Sequence, residues 1–321
     1  MNTDKPFKVS QSELNLFISL GIILSLLLIA SFVLGNRIHR GDTSSPAKLV
    51  EETNPYGDLT LTAKAAYVYD IRSGKVLFSK RADESLPLAS LTKVMTAVVA
   101  TELAPDHQVI TVTDTAIQTE GDSGLRVGER WSLKNLLDFA LTSSSNDGVA
   151  AVAMSLGRTD SPYQDDISSE ENFIRAMNAK ASELGLNNTR FYNETGLDKS
   201  TTEGGAYGSA RDMSALFTYI LKNHPELLEA TRQGQIKVSS LDNYIHIAEN
   251  TDEIVSSIPG IKASKTGFTD MAGGNLVIAF DPEIGRPIVI SVLGSTASDR
   301  FEDVSKLVQA TFKTLSQEEL K

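Results

Sequence analysis

Hydrophobic and polar positions divide the chain into three stretches of different character. From Leu14 to Gly35 no residue is charged, and Leu, Ile, Phe and Val fall on every face of a helix. A helix of that length rises about 30 Å, the thickness of a bilayer's hydrocarbon core. The run exceeds the usual apolar core of a signal peptide, and Phe32-Val33-Leu34-Gly35-Asn36 offers no clear small-x-small cleavage site. It reads as an uncleaved transmembrane anchor over residues 14–35, preceded by a short terminus, residues 1–13. Lys5 and Lys8 on one side and Arg37 and Arg40 on the other leave its orientation unspecified by charge. Residues 36–55, with Gly41, Asp42, Thr43, Ser44, Ser45 and Pro46, form a polar linker. Residues 56–321 form one domain without repeats or low-complexity breaks.

Within that domain Ala65 to Asp70 and Lys75 to Lys80 read as two strands around the turn Ile71-Arg72-Ser73-Gly74. Ser90 to Leu103 reads as a helix whose Leu91, Val94, Met95, Val98 and Val99 share a face. Helical periodicity continues over 133–144, 148–156, 171–184 and 210–221. Strand character returns at Gly274 to Phe280 and Pro287 to Leu293, parted by the turn Asp281 to Gly285. Asp299 to Leu315 is a closing amphipathic helix with Ser298 as its N-cap. Strands at both ends around a helical middle imply a sheet closed by the two ends of the domain, with an inserted helical lobe. A cleft between such lobes is a usual place for a site.

Composition then removes several chemistries. There is no cysteine, so disulfides, thiolate catalysis and Cys-ligated zinc are excluded. The four histidines, His39, His107, His224 and His246, stand far apart with no HExxH pair, so no metal and no cofactor are expected. Net charge is −11 and no lysine-arginine cluster tracks a phosphate backbone, which argues against a nucleic-acid partner.

Three short strings carry the candidate chemistry: Ser90-Leu91-Thr92-Lys93, Ser144-Ser145-Asn146 and Lys265-Thr266-Gly267. Ser90 precedes an apolar-periodic helix, where positions three apart share a face, so the Lys93 amine can lie beside the Ser90 hydroxyl. Ser45-Pro46-Ala47-Lys48 has the same spacing but sits in the linker, with no helix to fix its geometry. A lysine acts as a base only when neutral; burial and a second cation, here Lys265, would lower its pKa. Gly267 would let substrate approach the backbone closely. Ser144-Ser145-Asn146 falls between two helices, where a hydroxyl can relay protons and an amide can both donate and accept hydrogen bonds. Three serines are adjacent there, and Ser144 is chosen by its spacing to Asn146. Each string alone is more simply a helix cap or a solvated loop; together they equip a serine acyl-transferase that works without histidine.

The chain resembles penicillin-binding proteins of the D-alanyl-D-alanine carboxypeptidase family. Gly74 to Ala97, Met177 to Asp198, Tyr207 to Met213 and Ser264 to Val277 are similar to the family's stretches, and the likeness runs from about Tyr56 to Phe312. The resemblance implies Ser90 as acylated nucleophile, Lys93 as its base, Ser144 as proton relay and Asn146 as a contact to the substrate amide. Lys265 and Thr266 would receive a terminal D-Ala carboxylate, and the backbone N–H groups of Ser90 and Phe268 would form the oxyanion hole. It implies an α+β serine β-lactamase/transpeptidase fold, with a mainly antiparallel five-stranded sheet, flanking helices and a helical lobe. The partners implied are peptidoglycan stem peptides, with β-lactams as covalent inhibitors. The domain would then lie outside the cytoplasmic membrane, tethered by the N-terminal helix.

The sequence also departs from the family pattern. Phe191-Tyr192-Asn193 is followed by Glu194 where a proline is usual, and the lead-in Gly260-Ile261-Lys262-Ala263-Ser264 is long. Residues 299–321 leave room for a closing helix and tail but not for the β-rich domain that many relatives append. That difference mildly favours a DD-endopeptidase acting on crosslinks. A class A β-lactamase would need a glutamate with an asparagine four residues on; Glu183 and Asn187 have that spacing, but Glu183 reads as a helix-surface carboxylate. A non-enzymatic wall-binding relative would usually have lost one of the site residues, and all are present here.

Overall fold

The computed structural model describes residues 54–158 and 168–319, together with ten helical residues between Ser12 and Ser31. Those ten are solvent-exposed, and Ile22, Ile23, Leu26 and Leu27 are each more than half exposed. Among the described residues no helix is long and apolar enough to cross a membrane. Most of the expected anchor, the linker up to residue 53 and its Ser45–Lys48 pair lie outside the described residues.

The domain beginning at Asn54 is built on one antiparallel sheet of five strands: β1 (Ala65–Asp70), β2 (Lys75–Lys80), β3 (Ile261–Thr269), β4 (Gly273–Phe280) and β5 (Ile288–Ser295). Their spatial order is β3-β4-β5-β1-β2, so β1 pairs with β5, Ala65 opposite Leu293, and the two ends of the domain close the sheet. Both faces of the inner strands are covered, which is why GNLVIAF reads as a continuous apolar run rather than an alternation. Leu276, Ile278, Phe280, Ile288, Ile290 and Val292 pack on one side with Phe301, Val304 and Leu307. Those last three belong to α6 (Asp299–Glu319). Val277, Ala279, Val289 and Leu293 turn to the other side.

On that second side lie α1 (Thr92–Leu103), α2 (Leu133–Ser143), α3 (Asn146–Leu156), α4 (Ser169–Glu183) and α5 (Ala210–Asn223). Serine hydroxyls cap α2 to α5: Ser132, Ser145, Ser168 and Ser209 each accept a backbone N–H from the first turn. The sequence suggests a single apolar face for α1. Instead every residue from Thr92 to Ala100 is buried, Lys93 included, because sheet and lobe enclose the helix.

Two further expectations are corrected. The Lys265-Thr266-Gly267 string belongs to β3, not to a loop leading into β4; its alternating Lys262, Ser264 and Thr266 hide an edge strand that pairs Lys265 with Val277 and Gly267 with Asn275. Thr296, not Ser298, supplies the cap of α6: its Oγ1 accepts the Asp299 N–H at 2.9 Å.

Asp303 of α6 ties the closing helix to both ends of the domain. Its carboxylate accepts Thr62 N at 3.0 Å, Ala63 N at 2.8 Å and Ser295 Oγ at 2.7 Å, and it is 1% exposed. Asp303→Ala strands three hydrogen-bond donors, two of them buried, and is expected to cost about 2–4 kcal/mol, read from urea denaturation.

Candidate active site

The chain turns sharply just before α1. Ala89, Ser90 and Leu91 form a 3-10 turn, so Ser90 lies inside that turn and not at the first position of an α-helix. Ala89 has φ +48°, a left-handed conformation that a β-carbon disfavours. The surroundings hold it there. A β-carbon at Gly196 would stand 1.9 Å from Ala89 O, and one at Gly267 would stand 2.7 Å from Leu88 O and 3.2 Å from Ser90 N. Gly267 therefore lets β3 press against the Ser90 turn; the space assigned to substrate from the sequence is filled by the protein's own backbone. Asn275, fully buried opposite Gly267, completes the clamp. Its Nδ2 donates to Pro87 O and Leu88 O, both at 3.0 Å, while its Oδ1 accepts Gly294 N at 2.8 Å.

Lys93 follows one turn later. Its Nζ, with the residue 0% exposed, lies 2.9 Å from Ser90 Oγ, 2.6 Å from Asn146 Oδ1 and 2.8 Å from Thr195 O. The Asn146 amide is oriented by its other end, since Nδ2 donates to Glu120 O at 2.7 Å. Asn146 Oδ1 and Thr195 O can only accept, so they take both hydrogens of a neutral amine and leave its lone pair for the Ser90 hydroxyl. Burial pushes the Lys93 pKa down to about 7, against the opposing pull of the Glu194 and Asp147 carboxylates.

Lys265 stands on β3, 1% exposed, with Nζ 2.9 Å from Ser144 Oγ and 2.9 Å from Thr266 O. Burial drives its pKa well down, and the Lys93 and Arg300 cations add to the depression. The sequence argument gives Lys265 the task of lowering Lys93; instead burial lowers Lys93, and it is Lys93 that adds to the depression of Lys265.

The three adjacent serines are sorted by geometry. Ser143 Oγ donates to Phe139 O inside α2, and Ser145 caps α3 and bonds Asp147. Ser144, in the left-handed conformation at the end of α2 with φ +62°, is the one facing Lys265. Asn146 uses its oxygen on Lys93 and one amide hydrogen on Glu120, which leaves a second amide hydrogen for a substrate. Thr266 Oγ1 bonds Thr251 Oγ1. Phe268 is half exposed at the end of β3. All eight residues singled out from the sequence thus lie on the Ser90 turn, the helix that follows it, the α2–α3 corner and β3.

Three participants escape sequence reading. Asn275 looks like a polar interruption of an apolar strand, and its role depends on register. Arg300 looks like a surface charge on an amphipathic helix. It is 9% exposed, donates from Nη1 to Gly267 O at 2.9 Å, and among the described residues its Nε has no hydrogen-bond partner. Glu194, noted only as a missing proline, is 4% exposed with Oε2 unpartnered among the described residues, and burial raises its pKa. Glu183, by contrast, is a surface carboxylate paired with Lys180 at 2.8 Å. Among the described residues no cluster of three or more His, Asp or Glu could hold a metal.

Residues 50–297 match the family model described as D-alanyl-D-alanine carboxypeptidase, peptidase S11. The chain is 31% identical over 263 residues to the D-alanyl-D-alanine carboxypeptidase DacF of Bacillus subtilis, an alignment covering 79% of this chain and 63% of that protein. This chain thus spans less than two thirds of that relative's length. It is 33% identical over 223 residues to a D-alanyl-D-alanine endopeptidase of Pseudomonas aeruginosa, covering 68% of this chain and 67% of the relative. Its fold superposes on penicillin-binding protein D2 of Listeria monocytogenes, solved in an ampicillin-bound form. The TM-score is 0.63 at 29% identity, covering 79% of this chain and 99% of the other.

Gly196, at φ +81°, has no room for a β-carbon beside Ala89 O. Gly196→Ala is expected to destabilise the domain by about 2–4 kcal/mol in thermal or urea unfolding and to displace the Ser90 turn. Glu194→Gln removes a carboxylate that favours the charged form of Lys93. The pH at which Ser90 becomes reactive should then fall, as read from the rate of its acylation against pH.

Proposed function

Because the chain belongs to the D-alanyl-D-alanine carboxypeptidase family, we propose that it is a serine peptidase removing the terminal D-Ala from peptidoglycan stem peptides. The observation that carries this reading is the buried Lys93 amine, with two acceptors on its hydrogens and Ser90 Oγ 2.9 Å from its nitrogen.

Ser90 Oγ attacks the carbonyl carbon between the last two D-alanines while Lys93 Nζ takes its proton. The carbonyl oxygen becomes an oxyanion on the backbone N–H groups of Ser90 and Phe268. Collapse breaks the peptide bond, and the leaving nitrogen takes, by way of the Ser144 hydroxyl, the proton that Lys93 had accepted, which leaves Lys93 neutral again; Lys265 Nζ holds the Ser144 hydroxyl at 2.9 Å. Free D-Ala departs and an ester to Ser90 remains. Water attacks that ester with Lys93 again as base, releasing the shortened peptide and restoring the serine. The carboxylate of the leaving D-Ala meets Thr266, Lys265 and the guanidinium of Arg300, and Asn146 donates its second amide hydrogen to the peptide. A β-lactam presents the same carboxylate and a strained amide, so it acylates Ser90 in the manner suggested by the ampicillin-bound relative. No cofactor enters this sequence of steps.

The stem peptide lies outside the cytoplasmic membrane. The charge-free run Leu14–Gly35 supports an N-terminal anchor, with the domain from residue 56 on the outer side.

A fluorescent penicillin should label the wild-type chain and leave Ser90→Ala unlabelled. The labelling rate should climb about tenfold per pH step below about 7, as Lys93 loses its proton, and level off above it. A rate independent of pH between 5 and 8 would remove Lys93 as the base. Mass analysis of digested muropeptides separates the two activities named among the relatives. A pentapeptide losing one alanine marks the carboxypeptidase, and a crosslinked dimer splitting marks the endopeptidase; the first is expected to be faster. Nitrocefin turnover should be slow, with a lasting acyl-enzyme.

A further inference from the structure

The arrangement of β3 gives the bound peptide a direction. Lys265, Arg300 and the Thr266 hydroxyl would hold the leaving group's carboxylate, and Ser90 abuts Gly267. The acyl side must then run the other way, past Phe268 toward Thr269, about 7 Å further along the strand.

A pocket of about 240 Å³ lies off that end, lined by Tyr192, Lys199, Glu203, Gly204 and Tyr207. It is tied to the site at two points. Tyr207 pairs in register with Pro87, three residues before Ser90, and its hydroxyl donates to Met271 Sδ at 3.6 Å, just past β3. Thr269 Oγ1 donates to Asp198 at 3.1 Å, fixing the start of the loop that carries Lys199 and Glu203. A backbone hydrogen bond from Lys199 N to Glu203 O at 2.7 Å sets the two charged residues side by side.

We infer that this pocket is a specificity subsite for a stem-peptide side chain ending in both an ammonium and a carboxylate group. The inference rests on the peptidase reading above. Lys199 Nζ and Glu203 Oε2 are 3.5 Å apart, beyond a good hydrogen bond, so neither charge saturates the other. Both side chains are solvent-accessible, 47% and 66% exposed, and a zwitterionic ligand end can insert its two charges against them. The walls suit the aliphatic part: Tyr192 and Tyr207 meet edge to face at 6.3 Å, and Lys199 Nζ sits over the Tyr192 ring at 5.3 Å. Reach is adequate. The residue preceding the acyl D-Ala stands about 3.5 Å beyond it, and a five-carbon side chain extends about 6 Å more.

The test uses three pentapeptides ending in D-Ala-D-Ala, with diaminopimelic acid, lysine or 2-aminopimelic acid as third residue. The second lacks the distal carboxylate and the third lacks the distal ammonium. Wild-type kcat/KM should favour diaminopimelate about tenfold over each of the others. Lys199→Met should erase the advantage over lysine, and Glu203→Gln the advantage over 2-aminopimelate, with benzylpenicillin acylation within twofold of wild type in both. Calorimetric binding to Ser90→Ala, which turns nothing over, should follow the same order. Equal use and equal binding of the three peptides would overturn the subsite, as would variants that slow penicillin and peptide alike. If the peptides bind in the stated order but none is cleaved by the wild type, the subsite stands and the peptidase reading falls. If they are cleaved without preference, the reverse holds.

Discussion

The site depends on keeping a lysine amine out of water with only acceptors on its hydrogens. In solution Lys93 would hold its proton far above neutral pH and could not serve as a base. Inside α1, enclosed by sheet and lobe, its charged form loses hydration, and Asn146 and Thr195 fix which way the lone pair points. On the proposed mechanism, enclosure on all sides is thus a chemical requirement as well as a packing outcome. An amphipathic α1 with a solvated face would leave the amine charged.

The second requirement is that β3 and the Ser90 turn approach to within backbone contact. Two missing side chains, at Gly196 and Gly267, make the space, and one present side chain, Asn275, binds the carbonyls that the strained turn presents. Arg300 adds a bond to Gly267 O from the closing helix, so the sheet edge is braced from both sides. These contacts bring residues far apart in sequence to one short stretch of strand.

Much of this was legible in the chain. Ser90 and Lys93 share a helix face by spacing alone, four of the five sheet strands carry ordinary apolar runs, and the family likeness selects the three strings from chance matches such as Ser45–Lys48. Other parts were hidden for physical reasons. β3 is an edge strand that carries Lys262, Ser264 and Thr266 in alternation, so its polar positions break the pattern that marks a strand. Asn275 and Arg300 gain their roles from register and from the approach of α6, and neither is a local property. The hairpin of Gln235–Ser239 and Ile245–Glu249 was missed for a related reason: it exposes Ile245 and Ile247 on its outer face, so burial does not mark its alternation. Of the three adjacent serines Ser144 is the one beside Lys265, because Ser143 is held by a helix carbonyl and Ser145 by a cap.

The pairing of β1 with β5 has a consequence for how the chain is made. A ribosome delivers Ser90 and Lys93 early, but the edge strand and the two strands that seat it come almost two hundred residues later. Without those strands one wall of the Lys93 enclosure is missing. On the proposed mechanism Ser90 gains its reactivity only once residues 261–295 have been made and folded, so a nascent chain lacking them is inert.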